Sequence, residues 1–273
     1  MKGLEVNLVD DGAAAIADHF LNARRAASGL PDYPGEFPTT LDQAYAIQDL
    51  AISGWGKPVI GWKVGRVWPP LSDQFGTDRL AGPIFASETP RPDGSVPEMD
   101  VFAKGFAAGE AEFLLRIGRT PPAGKRSFTL EEAADLIDAV HVGVEIASSP
   151  LGAINVLGPI AVVSDFGNNN GLVIGRGIEN WRSSGFEEWL VSTRIDGVEI
   201  GTGRASSFPS GAIGSARFLF ELMATRGIAL QPGQWISSGA VTGVHDARPG
   251  QTVEAQFANG YTVRCALRAA SPE

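Results

Sequence analysis

The segment Glu110-Ala111-Glu112-Phe113-Leu114-Leu115-Arg116-Ile117 predicts a β-strand, because its side chains alternate with a period of two. On a β-strand, one face would carry Ala111, Phe113, Leu115 and Ile117, and the other Glu110, Glu112, Leu114 and Arg116. Residues 189–195 alternate likewise into Asp196-Gly197, and residues 253–257 lead into Asn259-Gly260. Both dipeptides favour the positive φ angles of tight hairpins, so the sequence predicts a mostly antiparallel β core.

Helical patterns flank this core. Residues 13–27 carry apolar side chains at helical spacing, and Thr40-Leu41-Asp42-Gln43 is a capping box that opens a second helix. Another capping box at residues 129–132 and an apolar pattern from 211 to a glycine stop at 227 predict two more helices. We therefore expect an α+β protein with a helical N-terminal portion, and the proline-rich stretch from Pro83 to Pro97 is the best candidate for a domain boundary.

Composition excludes several classes of protein. The 273 residues are 44% hydrophobic and 19% charged, as in ordinary globular chains, and 22 basic against 31 acidic residues give a formal net charge of -9. Such a surface argues against nucleic acid and against a polybasic membrane patch. The longest mostly apolar stretch, residues 151–163, is shorter than the roughly 20 residues of a membrane span. With a single cysteine, Cys265, and acidic residues ahead of any signal-like apolar run, we expect a cytoplasmic protein without a membrane partner.

Three carboxylates are the strongest candidates for chemistry. Glu110 and Glu112 share one strand face at a spacing of about 6.5 to 7 Å. Glu145 lies within Val-Gly-Val-Glu-Ile, residues 142–146, on the face opposite its apolar neighbours. A hard divalent ion, Mg²⁺ or Mn²⁺, would offset their mutual repulsion. The alternative is that Glu110 and Glu112 only line the solvent face of an amphipathic strand.

Two further polar residues sit in apolar surroundings. Lys63 lies in the glycine-flanked stretch Ile60–Gly65, which is typical of a strand. Its ammonium either reaches solvent or is held near an anion as an electrostatic or acid/base group. Asp165 follows the run Ile160–Val163 and is expected at or near a strand end, where it is equally plausible as a turn residue.

Several ordered motifs carry a resemblance to a known family. They include Gly61-Trp62-Lys63-Val64-Gly65, Glu110-Ala111-Glu112, Val144-Glu145-Ile146, Ser164-Asp165 and Ile236-Ser237-Ser238-Gly239. Together the sequence resembles the 2-keto-4-pentenoate hydratase and 4-oxalocrotonate decarboxylase branch of the fumarylacetoacetate hydrolase superfamily. The match covers most of the chain. The sequence departs from the hydratases after Lys-Val-Gly, where Arg66-Val67 replaces Leu-Thr.

The resemblance implies a twisted β-roll core and a homo-oligomer. Residues 1–85 would form the helical N-terminal portion that contributes Lys63, and residues 86–273 the β-roll catalytic domain. Mg²⁺ or Mn²⁺ would be bound by Glu110, Glu112 and Glu145, and the substrate would be a small 2-oxo acid. Lys63 would neutralise its carboxylate or supply a proton, and Asp165 would orient ligand or water. The substrate-binding residues would be Arg66, Ser238 and Gly239.

Four functions follow from this resemblance. The leading one is metal-dependent hydration of 2-hydroxypenta-2,4-dienoate or a related dienol in aromatic-compound catabolism, and its rival is decarboxylation of a 4-oxalocrotonate-type acid. Hydrolysis of a carbon–carbon bond ranks lower, because neither His19 nor His141 lies in a segment that matches the water-activating His-Glu pair of those enzymes. A non-catalytic paralogue is the fourth possibility. Arg66, with Arg79, would favour a substrate with a second carboxylate; both are otherwise surface arginines.

Overall fold

The computed structural model of the protein describes residues 2–90 and 94–273. Within them the helices are α1 (Lys2–Arg25), α2 (Leu41–Trp55), α3 (Leu71–Phe75), α4 (Leu130–Asp135), α5 (Ile154–Leu157), α6 (Pro159–Ser164) and α7 (Gly211–Arg226). The strands are β1 (Gly61–Arg66), β2 (Arg79–Ile84), β3 (Ser87–Glu88), β4 (Glu98–Val101), β5 (Phe106–Ile117), β6 (Ile137–Ser149), β7 (Asn169–Gly177), β8 (Val191–Ile195), β9 (Val198–Gly203), β10 (Trp235–Ser237), β11 (Thr252–Phe257) and β12 (Tyr261–Ala269). Among these residues no helix has the length and apolar character needed to cross a membrane.

The strands form two sheets. A seven-stranded sheet has the order β2-β1-β10-β5-β6-β7-β3, and a five-stranded sheet has the order β4-β12-β11-β8-β9. Neighbouring strands are antiparallel except for the parallel pairs β1–β10, β3–β7 and β4–β12. The predicted α+β class with a mostly antiparallel core is therefore confirmed.

The alternation along β5 divides its two faces as predicted. Phe113 belongs to the buried core between the sheets, where its ring centroid lies 5.2 Å from that of Phe257 on β11 and 4.9 Å from that of Phe186. Burying one such side chain stabilises the fold by about 1.5 to 3 kcal/mol. The other face of β5 carries Glu110 and Glu112, which are therefore fixed by the packing of their apolar neighbours.

Helix ends and hairpins follow the predicted signals. Thr40 and Gln43 form the capping box of α2, and Thr129 with Glu132 forms that of α4. Helix α7 ends at Arg226 and is capped by Gly227, whose φ of 71° is left-handed. Asp196 joins β8 to β9 at positive φ, and β11 and β12 are joined across residues 258–260. These local signals fix the boundaries of the elements that carry the site.

One local prediction is wrong. Residues 160–163 do not form a strand; they lie in α6, so Asp165 follows a helix. A four-residue apolar run does not distinguish a buried strand from a buried helix, and Pro159 at the first turn favours the helix. The proposed division after residue 85 stays a prediction, although β1 and β2 belong to the same sheet as β5. Residues 91–93 of the candidate boundary lie outside the described residues.

Candidate metal centre and its cavity

Two neighbouring strands bring the three predicted carboxylates together. Glu110 and Glu112 lie on β5, and Glu145 lies on β6 directly opposite Glu110 in the antiparallel register. One oxygen from each of the three carboxylates lies within 4.8 Å of the others. All three residues are buried, so the solvent-face alternative for Glu110 and Glu112 is wrong.

Burial makes this cluster electrostatically costly. It raises the pKa of Glu110 to about 7; the Lys63 ammonium opposes this shift and Glu145 adds to it. Burial, followed by the charges of Glu145 and Glu110, raises the pKa of Glu112 well above its ordinary value. The cluster therefore favours a bound positive charge, whether a proton or a metal ion.

Lys63 brings a positive charge into the cluster. Its Nζ lies 3.4 Å from Oε1 of Glu145, and its side chain is 7% exposed. Burial disfavours the ammonium, but the charges of Glu145, Glu110 and Glu112 outweigh burial and raise the pKa of Lys63 above its ordinary value. The lysine is therefore a buried ammonium paired with carboxylates, and the alternative that it reaches solvent is wrong.

The oxygens of the cluster fit a hard divalent cation. Oε2 of Glu112 accepts hydrogen bonds from Ser237 Oγ, at 2.5 Å, and from the backbone N–H of Gly239, at 2.9 Å. Oε1 of Glu145 accepts one from Nδ2 of Asn169, at 3.0 Å. Oε1 of Glu112 and Oε2 of Glu145 are buried without a hydrogen-bond partner among the described residues. Carboxylate oxygens held in place on one side and unpartnered on the other can bind Mg²⁺ or Mn²⁺.

A cavity of about 340 Å³ adjoins the cluster. Its polar lining consists of Lys63, Arg66, Glu110, Asn155 and Asn168, and the rest of its wall is largely apolar. A second cavity, of about 260 Å³, contains none of the three glutamates in its lining. We therefore take the cavity beside Lys63 as the candidate binding site, since it combines apolar walls with a few convergent polar groups.

The predicted substrate-binding residues take different positions. Arg66 lines the cavity, with its guanidinium carbon 3.6 Å from the ring centroid of Trp68. Gly239 contacts the cluster through the hydrogen bond to Glu112. The carbonyl oxygen of Ser238 accepts a hydrogen bond from Ser215. Arg79 donates to Asp78, to Ser215 and to the carbonyl of Pro209, so its nitrogens are engaged within the protein.

Asp165 lies in a different cluster. One of its oxygens accepts a hydrogen bond from Nε of Arg24 on α1, at 2.6 Å, and the other accepts one from Ser149, at 2.5 Å. Asp165 is outside the lining of the cavity beside Lys63. Its carboxylate thus anchors the segment that leads to Asn169, which contacts Glu145.

Several residues of the site had no predicted role of their own. Asn168 and Asn169 stand in a run of three asparagines, and Ser237 lies in the motif Ile236–Gly239, which carries part of the resemblance. A polar run directly after a buried apolar segment was the available signal. No local sequence pattern predicts a role for Arg24, because its contact with Asp165 depends on the tertiary structure.

No family model matches the sequence. The chain is similar to 4-oxalocrotonate decarboxylase from Pseudomonas putida G7, complexed with magnesium and adipate, with a TM-score of 0.79 and 20% identity over 94% of this chain and 97% of that chain. It is also similar to fumarylpyruvate hydrolase from Pseudomonas aeruginosa in complex with Mn²⁺ and pyruvate (TM-score 0.55, 14% identity, 77% and 89% coverage). A third similar structure is a yeast fumarylacetoacetate hydrolase family protein (TM-score 0.52, 16% identity, 76% and 92% coverage). The chain therefore has the fold of the fumarylacetoacetate hydrolase superfamily, as the resemblance implied.

Proposed function

We propose that the protein is a divalent-metal-dependent enzyme that hydrates an unsaturated 2-oxo acid, with 2-hydroxypenta-2,4-dienoate or a related dienol as substrate. The observation that carries this proposal is the buried cluster of three glutamates with unpartnered oxygens, placed beside Lys63 at the wall of a cavity. The similarity in fold to the magnesium-bound decarboxylase and the Mn²⁺-bound hydrolase supports the choice of metal and of substrate class.

Glu110, Glu112 and Glu145 would hold Mg²⁺ or Mn²⁺. When bound, such an ion supplies Lewis acidity, which polarises a 2-oxo group and offsets negative charge on the substrate. Ser237 and Gly239 hold Glu112 in place, and Asn169 holds Glu145. These contacts orient the carboxylates before any ligand binds. Ser238 and Gly239 would belong to this part of the site.

Lys63 would neutralise the carboxylate of the substrate or supply a proton. In the proposed reaction the dienol loses its hydroxyl proton and gains one at C5, which gives 2-oxopent-3-enoate. Water then adds its hydroxyl to C4 and a proton to C3, which gives 4-hydroxy-2-oxopentanoate. The ammonium Nζ of Lys63, at the cavity wall, would offset negative charge on the substrate or donate a proton in these steps.

Arg66 would bind the end of the substrate that is remote from the metal. Its guanidinium lines the same cavity and is supported by the Trp68 ring, with Phe208 at 5.5 Å. Within the proposed class, a cation at this position favours a related dienol that carries a second carboxylate. Asp165 would act on the site through its pair with Arg24, which anchors the segment that carries Asn169.

Decarboxylation is a second candidate, because the similarity to 4-oxalocrotonate decarboxylase extends over nearly the whole chain. An ultraviolet time course with 2-hydroxypenta-2,4-dienoate and, separately, 4-oxalocrotonate, each with and without Mg²⁺, distinguishes the two. Metal-dependent loss of the dienol with a mass gain of one water supports hydration, whereas CO₂ release from oxalocrotonate supports decarboxylation. If the protein binds Mg²⁺ and changes neither acid, the proposed reaction is wrong and a non-catalytic role is favoured.

A further inference from the structure

Asn168 is a buried amide with unsatisfied hydrogen-bonding capacity at the cavity wall. The residue is 3% exposed and lines the cavity together with Lys63 and Glu110. Its Nδ2 lies 3.5 Å from Oδ1 of Asn155, at the outer limit of a hydrogen bond. Its own Oδ1 has no partner among the residues that the structure describes. Since buried polar atoms are nearly always hydrogen-bonded, this amide requires a ligand or a water as partner.

The backbone fixes Asn168 at this wall. Phe166, Gly167 and Asn168 have φ angles of 55°, 65° and 66°, and positive φ is rare for a residue as bulky as phenylalanine. The turn packs closely against its neighbours. A Cβ built on Gly82 of β2 would lie 2.2 Å from the carbonyl oxygen of Phe166, and one built on Gly167 would lie 3.0 Å from Cδ of Lys63. Glycines at 82 and 167 thus allow the strained turn to press against β2 and the Lys63 stem.

We infer that Asn168, with Asn155, forms a subsite that binds a hydroxyl group on the carbon chain of a 2-oxo acid. The inference rests on the proposed function and goes beyond it by assigning a neutral recognition group. The charged side chains of the cavity, Lys63, Arg66 and Glu110, can pair with charged groups of a ligand. The neutral amide of Asn168 is matched instead to a neutral polar group. The last side-chain torsion of asparagine is soft, so the amide can present either its oxygen or its NH₂. A hydroxyl both donates and accepts, and therefore satisfies either orientation.

The test compares two ligands that differ by one hydroxyl, 4-hydroxy-2-oxopentanoate and 2-oxopentanoate. Their dissociation constants for the Mg²⁺-loaded protein are measured by isothermal titration calorimetry. The wild type should bind the hydroxylated acid more tightly. Asn168→Gly should lower this preference about five- to tenfold and leave the affinity for 2-oxopentanoate within about twofold, because one hydrogen bond is lost. Glycine suits the positive φ at this position.

Asn259→Gly is the matched control, since Asn259 has a φ of 60° in the β11–β12 hairpin, outside the cavity lining. Its ligand preference should equal that of the wild type. An unchanged preference in folded Asn168→Gly would overturn the subsite. If Asn168→Gly does not fold, the second variant is Asn155→Ala, at an exposed position. It should lower the preference for the hydroxylated acid about threefold, and an unchanged preference in this variant would likewise overturn the subsite. If neither acid binds the Mg²⁺-loaded wild type, the proposed function itself fails, and the subsite fails with it.

Discussion

Glu110 and Glu145 stand directly opposite each other on adjacent antiparallel strands, and both are buried. Like charges in this position destabilise a strand pair. The flanking apolar residues of β5 and β6 hold the two carboxylates there despite that cost. The stability of this part of the sheet should therefore respond to any cation that binds the glutamates.

Replacing Glu112 by glutamine should weaken Mn²⁺ binding by about 100-fold or more, because a metal ligand contributes at least as much as the residues that orient it. Glutamine retains an oxygen that can accept the hydrogen bonds of Ser237 and Gly239. The fold should thus be kept, as circular dichroism would verify. Calorimetric titration with Mn²⁺ measures the affinity, and Glu36→Gln, at an exposed position, is the control. Unchanged affinity in Glu112→Gln would rule out the three-carboxylate site.

The metal-free protein should lose stability as the pH rises from 6 to 8. Burial raises the pKa of Glu110 from 4.5 to about 7, so the folded state holds this proton more tightly than the unfolded chain does. The resulting stabilisation is complete below pH 4.5 and is lost as the pH rises through about 7. Thermal unfolding in chelator should show a lower Tm at pH 8 than at pH 6, and Mg²⁺ should remove most of the difference. A pH-independent Tm, or the same decline in Glu110→Gln, would contradict this assignment.

Lys63→Met should separate metal binding from catalysis. The substitution removes the ammonium that pairs with Glu145, so a divalent ion meets less competing positive charge and should bind at least as tightly. Turnover should fall about 10²- to 10⁴-fold, as expected for loss of an acid/base group. The two measurements are Mn²⁺ titration and the ultraviolet assay, with Lys104→Met, at an exposed position, as control. Activity equal to that of the wild type would exclude Lys63 from the reaction.

Asn169→Ala should lower metal affinity about tenfold, because the amide of Asn169 orients Glu145. The neighbouring Asn170 donates to the carbonyl of Asp100 and makes no contact with the glutamates among its hydrogen bonds in the described structure. Asn170→Ala is therefore the matched control, and its Mn²⁺ affinity should stay within about twofold of the wild type. Equal losses in the two variants would indicate a general effect of the segment and not an effect on Glu145.

The predictability of the site from sequence differed from residue to residue. Period-two alternation placed Glu110 and Glu112 on one strand face, since local geometry alone determines this. That Glu145 lies opposite Glu110 depends on strand register, which is set by the packing of both sheets. The apolar run before Asp165 was misassigned because four residues carry too little periodicity. The partners of Asp165 are distant in sequence, and no local pattern reports them.

The contact of Arg24 with Asp165 has a consequence for recombination between related proteins. Near the end of α1, Arg24 also donates to the carbonyls of Ser148 and Asn169. A chimaera that took its first helix from a relative without this arginine would leave a buried carboxylate without its counter-charge, at a cost of about 3 to 5 kcal/mol. A chimaera should therefore take the first helix and residues 165–170 from the same parent protein, although about 140 residues of chain separate them.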